Sequence, residues 1–473
     1  LPSEPKIFHG REYELSQILQ LFKTGTPRIA ILGAGGMGKT SLAKAVLHYQ
    51  EITAIYGQHR VFVTCDSATS TVELGSLIGS HIGLKPGKNL IQKLVQYFST
   101  SAPSLLILDE LETLWEPAKF CGDIEELLSQ LTGVGHLAII ITMRGAERPA
   151  KVQWTRPFLP SLKPLDEESA RQTFMDISDT DDSPEEVNAL LALTDNMPLA
   201  ISLLAHLADS EGCSNVLARW HKEKTSLISE GLDRRSNLDL SISVSISSPR
   251  MILLSQAQEL LSLLSMLPDG LLDLDLIQSK LPLDHILSCK AALMATALAY
   301  SDDHKRLKVL VPVREYMQKY QPPRDHLVRA IHKYFQELLE CFEEHNGNPS
   351  NSGTIPRISS NFANIQNILQ WGLQEKHSNL ADTIYCVCYL NKFSQFYIQA
   401  HTPLIGQIHN ILPNPTDHRL ETYVIIELLG SWHYYQIPNQ ESLISRGLQH
   451  LEHVDEPDLK CGLYDYHSFF GTH

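Results

Sequence analysis

The chain has 473 residues, of which 43% are apolar and 20% charged, and its net charge is −15. That length exceeds one core and implies about three to four domains, and the composition is that of a folded protein rather than a disordered one. The acidic balance argues against nucleic acid as a bulk electrostatic partner, no apolar run approaches the ~20 residues of a membrane span, and eight cysteines without zinc or CxxC spacing suit free thiols in a reducing cytoplasm. The chain starts at Leu1 rather than methionine and shows no signal peptide, which points to a segment of a longer protein.

In chain order, a helix is expected near residues 11–22 and a buried strand at 28–32. The strand runs into Gly33-Ala34-Gly35-Gly36-Met37-Gly38-Lys39-Thr40, and helix-forming residues from Ser41 follow to about 50. Strand, glycine loop and helix are the context of a phosphate-binding P-loop. Gly33, Gly35, Gly36, Met37, Gly38 and Ser41 belong to the cradle. Lys39 is placed for the β- and γ-phosphates, and the Thr40 hydroxyl for Mg²⁺. A strand is expected at 60–65, and helices at 71–82 and 88–99. Ser104-Leu105-Leu106-Ile107-Leu108-Asp109-Glu110 reads as a strand covered on both faces that ends in two carboxylates. Asp109 suits the Mg²⁺ shell, and Glu110 suits general-base activation of water. After a helix at 123–132, a strand at 136–141 leads into Thr142-Met143-Arg144. Arg144 either senses a γ-phosphate or simply ends a strand at the surface; position alone leaves both open. Strand–helix alternation predicts a parallel α/β sheet with ligand at the strands' carboxyl ends.

From Asp166 the pattern turns helical. Helices are expected to start at Asp166, at Ser183-Pro184 and near Met197-Pro198. A polar stretch at 229–237 precedes another helix through 256–267, broken by Pro268-Asp269-Gly270. Two short β-like runs at 295–300 and 307–311, joined by a turn at 301–304, make a winged-helix unit plausible. Beyond Pro322-Pro323 the chain reads as repeat-sized helices, with loops at 346–354 and 413–417, and an α-solenoid is expected. His450 and His453, at i,i+3 spacing, fit a solvated helix face better than a metal site, since no third ligand is evident.

The ordered set Phe8-His9-Gly10-Arg11-Glu12, Gly33–Ser41, Leu105–Glu110, Thr142-Met143-Arg144 and Met197-Pro198-Leu199 resembles the NB-ARC module of STAND signalling NTPases, the class of NOD-like receptors and apoptotic-protease activators. Residues 111–117 and 142–149 look most like fungal members. The resemblance covers about residues 5–320. It implies a P-loop NTPase domain (1–165), a small helical domain (166–230) and a winged-helix domain (231–322), and the helical reading beyond them gives a TPR-like helical region (323–473). Gly10 and Arg11 then match the motif along adenine and ribose, Pro198 the proline packed on adenine, and Arg144 the sensor arginine. Where many members carry a Met-His-Asp motif, this chain reads Leu310-Val311-Pro312-Val313-Arg314-Glu315, without the histidine that reads the β-phosphate of ADP.

The function so implied is a switch using ATP/ADP and Mg²⁺. ADP holds it closed. A protein or other ligand on the helical C-terminal region prompts exchange for ATP, the ATP state self-associates, and slow hydrolysis resets it. Two other classes compete: a nucleotide-bound scaffold that does not switch, and a winged-helix DNA-binding regulator. The latter is disfavoured because residues 283–290 offer one lysine.

Overall fold

The computed structural model describes residues 1–65, 68, 70–85, 89–115, 118–179, 183–223, 238–344, 353–374, 380–398, 401–408, 411, 417–431 and 440–470. The polar stretch expected at 229–237, and most of the expected loops at 346–354 and 413–417, lie outside these residues. The described chain forms two compact units that are discontinuous in sequence. One comprises 1–265, 285–301 and 309–322; the other comprises 266–284, 302–308 and 323–473.

In the first unit, helix α1 (Glu12–Thr24) precedes strand β1 (Arg28–Gly33), then α2 (Lys39–His48), α3 (Gln50–Tyr56) and β2 (Arg60–Thr64). The single helix expected over 39–50 divides because Tyr49 leaves helical geometry, with ψ 137°. Next come α4 (Thr71–His81), α5 (Leu90–Thr100), β3 (Ser104–Asp109), α6 (Glu112–Trp115), α7 (Ala118–Thr132) and β4 (Leu137–Arg144). The four strands form one parallel sheet in the order β1-β4-β3-β2. Every residue of β3 is buried, as is every residue of β4 except the last, which is why both read as unbroken apolar runs. Burying each such Leu or Ile contributes about 1.5–3 kcal/mol. Register places Gly33 opposite Arg144 and Thr64 opposite Asp109, so the strand ends carrying the candidate residues lie side by side.

The sheet is followed by α8 (Glu167–Ile177), α9 (Pro184–Thr194), α10 (Pro198–Glu211), α11 (Cys213–Glu223) and α12 (Leu238–Ile246). The starts of α8 and α9 are the expected ones. The Asp166 side chain accepts from the Ser169 amide at 2.9 Å, and Ser183 accepts from the Glu186 amide at 3.3 Å with Pro184 in the first turn. Further helices at Pro249–Leu253, Ser255–Leu264, Ile286–Ala295 and Val311–Tyr320 complete the unit. The β-like run at 295–300 is mostly a helix end. Thr296 is still helical and Ala297 turns left-handed, leaving Tyr300–Ser301 as strand. The run at 307–311 is strand only over Leu307–Lys308, because Val311 opens a helix with Pro312 in its first turn.

In the second unit, Asp325–Glu344 packs on Phe362–Gln374 and Leu380–Phe393. Leu380–Phe393 packs on His418–Gly430, which packs on Gln440–Leu451 and Pro457–Phe470. Each helix chiefly meets its sequence neighbours, as in a helical-repeat stack. A buried polar knot joins distant segments of this unit. Arg306 donates to the Asp269 and Gly270 carbonyls and to Asn361 Oδ1, at 2.7, 2.7 and 2.6 Å. Asn364 donates to the Gly270 carbonyl at 2.8 Å, and its amide to Asp269 Oδ2 at 3.0 Å. Among the described residues no helix is long and apolar enough to cross a membrane.

Candidate functional site

Strand β1 ends where Gly33 meets the backbone of Leu162, whose amide donates to the Leu32 carbonyl at 2.8 Å. The chain then turns through the glycine loop into α2. Gly36 and Gly38 take φ of +79° and +82°, a region costly for residues with a Cβ. Among the described residues, the amides of Gly38, Lys39 and Thr40 meet no acceptor, as expected at the first turn of a helix. The Lys39 ammonium folds over the loop and donates to the carbonyls of Gly33 and Ala34 at 3.0 and 2.7 Å. Burial lowers its pKa to about 8. The Glu112 charge opposes that shift, and the Arg144 charge adds to it. Unpaired amides around a buried, desolvated cation make a cradle that fits a phosphate.

Asp109 is fully buried beneath Thr40. Its carboxylate accepts the Thr40 hydroxyl at 2.9 and 3.1 Å and the Thr142 hydroxyl at 2.6 Å. A hydroxyl beside a carboxylate is an oxygen donor set suited to Mg²⁺, so the pair fits the expected metal role. Glu110 follows in left-handed geometry, φ 61°, with its amide donating to Thr142 Oγ1 at 3.0 Å. That bend turns the chain off the strand at the mouth of the cleft, which Glu110 lines.

The cleft has a volume of about 550 Å³. One wall is the P-loop from Gly35 to Ser41, with Glu110, Glu112 and Arg144. The other is helical: Thr173, Asp176 and Ile177 of α8, with Pro198, Leu199, Ser202 and His206 of α10. Pro198 lines the cleft on this side. The Leu199 amide donates to the Gly36 carbonyl at 3.1 Å and ties the start of α10 to the loop. Gly10 and Arg11 sit beside the cleft rather than on its lining. Gly10 lies against Ser169 of α8. Arg11, buried, donates to the carbonyls of Met37 at 3.1 Å and Lys163 at 2.6 Å, and burial lowers its pKa. It braces the P-loop backbone from behind.

Arg144 is engaged within the protein. Its Nε donates to Glu112 Oε1 at 3.2 Å, its amide to Glu112 Oε2 at 3.3 Å, and its Nη1 to Ser245 Oγ of α12 at 2.8 Å. The sequence reading missed Glu112, Thr142, Ser245 and the α8 face. Glu112 and Thr142 stand in motifs already singled out, so their neighbourhood was a usable signal; Ser245 carried none. His450 and His453 do gain His418 as a neighbour, with His418 Nδ1 and His450 Nδ1 2.8 Å apart. Even so, no group of three or more His, Cys, Asp or Glu among the described residues could hold a metal ion.

Residues 2–196 match the family described as "Novel STAND NTPase 1". The match supports a STAND-type P-loop NTPase over that segment. GTP-binding protein Di-Ras2 of Mus musculus is 30% identical over 118 residues, 22% of this chain and 56% of that protein, so the chain spans about half the length of this relative. Among solved structures, a Walker-type ATPase of Pyrococcus abyssi is 14% identical with a TM-score of 0.44, covering 67% of this chain and 98% of its own. A STAND protein with a tetratricopeptide repeat sensor from Pyrococcus horikoshii is 15% identical with a TM-score of 0.33, covering 98% of this chain and 67% of its own. Both are distant likenesses.

Proposed function

We propose that this chain is an ATP/ADP-binding signal-transduction switch of the STAND class, of NB-ARC type, with segments 111–117 and 142–149 that look most like those of fungal NOD-like proteins. ADP holds it inactive, exchange for ATP activates it, and slow hydrolysis resets it. The observation that carries the reading is the two-walled cleft. Residues of α8 and α10 line the same cleft as the P-loop, so a nucleotide held there would border the helical segment and its identity would be felt there. Lys39, the free amides and Thr40 hold the phosphates. Thr40 and Asp109 would hold Mg²⁺, which would supply charge neutralisation of the phosphates. Glu110 takes a proton from the attacking water, and Arg144 is the cation for the γ-phosphate. Pro198 packs against the base, while Gly10 and Arg11 fix the loop beside the ribose.

The 231–322 segment is read as the winged-helix part. It lacks the phosphate-reading histidine, but the Val311 amide donates to Asp195 Oδ2 at 2.9 Å, a bond to the corner just before Pro198. This supports a closed state held by protein contacts as well as by ADP. The helical-repeat region (323–473) would receive a protein or other ligand and bias the switch, and the ATP state would self-associate in the cytoplasm. Moving the balance from 1:99 to 99:1 takes about 5.5 kcal/mol of differential affinity.

The test is to identify the nucleotide bound in the purified protein, then compare mass and limited proteolysis with ADP, a non-hydrolysable ATP analogue and no nucleotide. Trapped ADP, with cutting at 229–237 enhanced by the analogue, is expected. Identical mass and digestion in all three states would favour the non-switching scaffold.

A further inference from the structure

The Arg144 guanidinium is held by an anion that belongs to the protein. The Leu111 amide donates to the Thr142 carbonyl at 3.1 Å, which lays the start of α6 along the end of β4. Glu112 thereby grips Arg144 at two points, Nε and the backbone amide, at 3.2 and 3.3 Å. Both side chains are nearly dry, 9% exposed for Arg144 and 6% for Glu112. A buried ion pair is costly to break unless another anion replaces the lost partner. Both residues line the cleft that holds Lys39 and Thr40. Glu112 is also the strongest charge favouring the charged form of Lys39. One carboxylate thus serves as counter-ion to the two cations that a triphosphate would engage.

We infer that Glu112 is a positioning residue that stands in for the γ-phosphate, holding Arg144 against Ser245 until a triphosphate displaces it and so biasing the site toward diphosphate. This rests on the nucleotide-switch reading above. The physical basis is competition between like charges. Asp109, Glu110 and Glu112 already crowd the site around two cations, so a γ-phosphate at Arg144 must either expel the Glu112 carboxylate or sit beside it. A diphosphate needs Lys39 and the loop amides and leaves the Glu112–Arg144 pair intact. When Arg144 turns to a third phosphate, its Nη1 bond to Ser245 is surrendered, and α12 loses a tie to the sheet. By linkage, whatever holds Ser245 in place favours ADP to the same extent.

The experiment measures Kd for ADP and for a non-hydrolysable ATP analogue, each with Mg²⁺, by calorimetry at constant ionic strength. The proteins are wild type, Glu112→Gln, Ser245→Ala, Arg144→Ala and the double variant Arg144→Ala/Glu112→Gln. Removing the Glu112 charge helps any phosphate, so the readout is the ratio of the two Kd values. Glu112→Gln should shift that ratio toward the analogue by about tenfold, a usual size for coupling between sites, and Ser245→Ala should shift it the same way by about threefold. In the Arg144→Ala background Glu112→Gln should leave the ratio unmoved. Equal gains for both nucleotides, or a ratio shift that survives loss of Arg144, would overturn the inference. If Glu112→Gln does not fold, Ser245→Ala decides alone: an unchanged ratio refutes the coupling. Failure of wild type to bind either nucleotide would refute the underlying switch reading instead, a distinct result.

Discussion

Replacing Gly36 by alanine should loosen the start of α10 from the P-loop, far more than the same change at Gly38. A Cβ on Gly36 would lie 2.9 Å from Leu199 Cβ and 3.4 Å from Met197 Sδ. Carbon atoms prefer ~3.5–4.0 Å, so Leu199 would have to retreat by roughly 0.6–1.1 Å. It cannot do so freely, because its amide is bonded to the Gly36 carbonyl at 3.1 Å. Three costs add: about 1–2 kcal/mol for a Cβ in left-handed geometry, about 1–3 kcal/mol for overpacking, and up to about 1 kcal/mol for a weakened hydrogen bond. The sum is about 2–6 kcal/mol. Gly38 has the same positive φ, +82°, but nothing within 4 Å of its Cβ position, so Gly38→Ala incurs only the first cost. The difference, about 1–4 kcal/mol, is roughly 5- to 700-fold in an opening equilibrium. Hydrogen exchange at the Leu199 amide reads that equilibrium. The Ile201 amide, bonded to the Met197 carbonyl at 2.9 Å, is the internal reference. Equal acceleration of Leu199 exchange in the two variants would show that the close approach does not hold the loop to the helix.

Other outcomes follow from the same geometry. Lys39→Ala should abolish most adenine-nucleotide affinity by calorimetry, and unchanged Kd values would remove the P-loop assignment. Burial puts Lys39 near 8 in the folded chain against 10.5 when unfolded. The unfolded chain therefore binds more protons between about pH 8 and 10.5, and stability should rise with pH across that window and be flat below it. A phosphate restores the charge, so nucleotide binding above about pH 8 should take up a proton, measurable in buffers of different ionisation enthalpy; binding without proton uptake at that pH would refute the lowered Lys39 pKa. Asp109→Asn should weaken the Mg²⁺ dependence of binding, whereas Glu110→Gln should keep Mg·ATP and slow its cleavage; wild-type hydrolysis in both would make these carboxylates structural. In the second unit, burial raises Glu427 from 4.5 to about 7, with Asn391 Nδ2 donating to it at 2.8 Å. The folded chain binds the extra proton, so stability should fall as pH rises from about 4.5 to 7, and Glu427→Gln should flatten that slope in denaturant titrations.

The sheet was legible because β3 and β4 are buried on both faces and leave an apolar signature that needs no partner to interpret. The P-loop and Asp109 were legible for a related reason: phosphate and Mg²⁺ chemistry restricts which residues can follow such strands. The α8 side of the cleft was not, because Thr173 and Asp176 occupy ordinary polar positions on an amphipathic helix and reach the site only through tertiary packing. Ser245 is the extreme case, a serine from beyond a long polar connection that meets Arg144 101 positions away. Arg11 shows the converse. Its motif pointed to the site, but its guanidinium donates to one carbonyl of the loop, Met37, and to that of Lys163. The run at 295–300 misled because alternating alanines and larger residues fit a strand or a fraying helix end equally well, and Ala297, at φ 54°, decides for the latter.

The polar knot at Arg306 bears on how this chain can be cut. Pro322-Pro323 invites an expression boundary that would isolate the nucleotide-binding part. Such a fragment keeps Arg306, Asp269 and Gly270 but discards Asn361 and Asn364. Arg306 would lose the Asn361 acceptor, Asp269 the Asn364 amide, and the Gly270 carbonyl one of its two donors, at a place the whole chain keeps dry. The fragment also strips the cover from the buried apolar side chains of 266–284, such as Leu267, Leu271 and Leu276, and exposing each costs about 1.5–3 kcal/mol. Fragments ending at 322 should therefore aggregate or demand solubilising partners, and ones reaching past the helix Phe362–Gln374 should purify more readily. Biochemists seeking a minimal piece would do better to count hydrogen-bond partners than prolines.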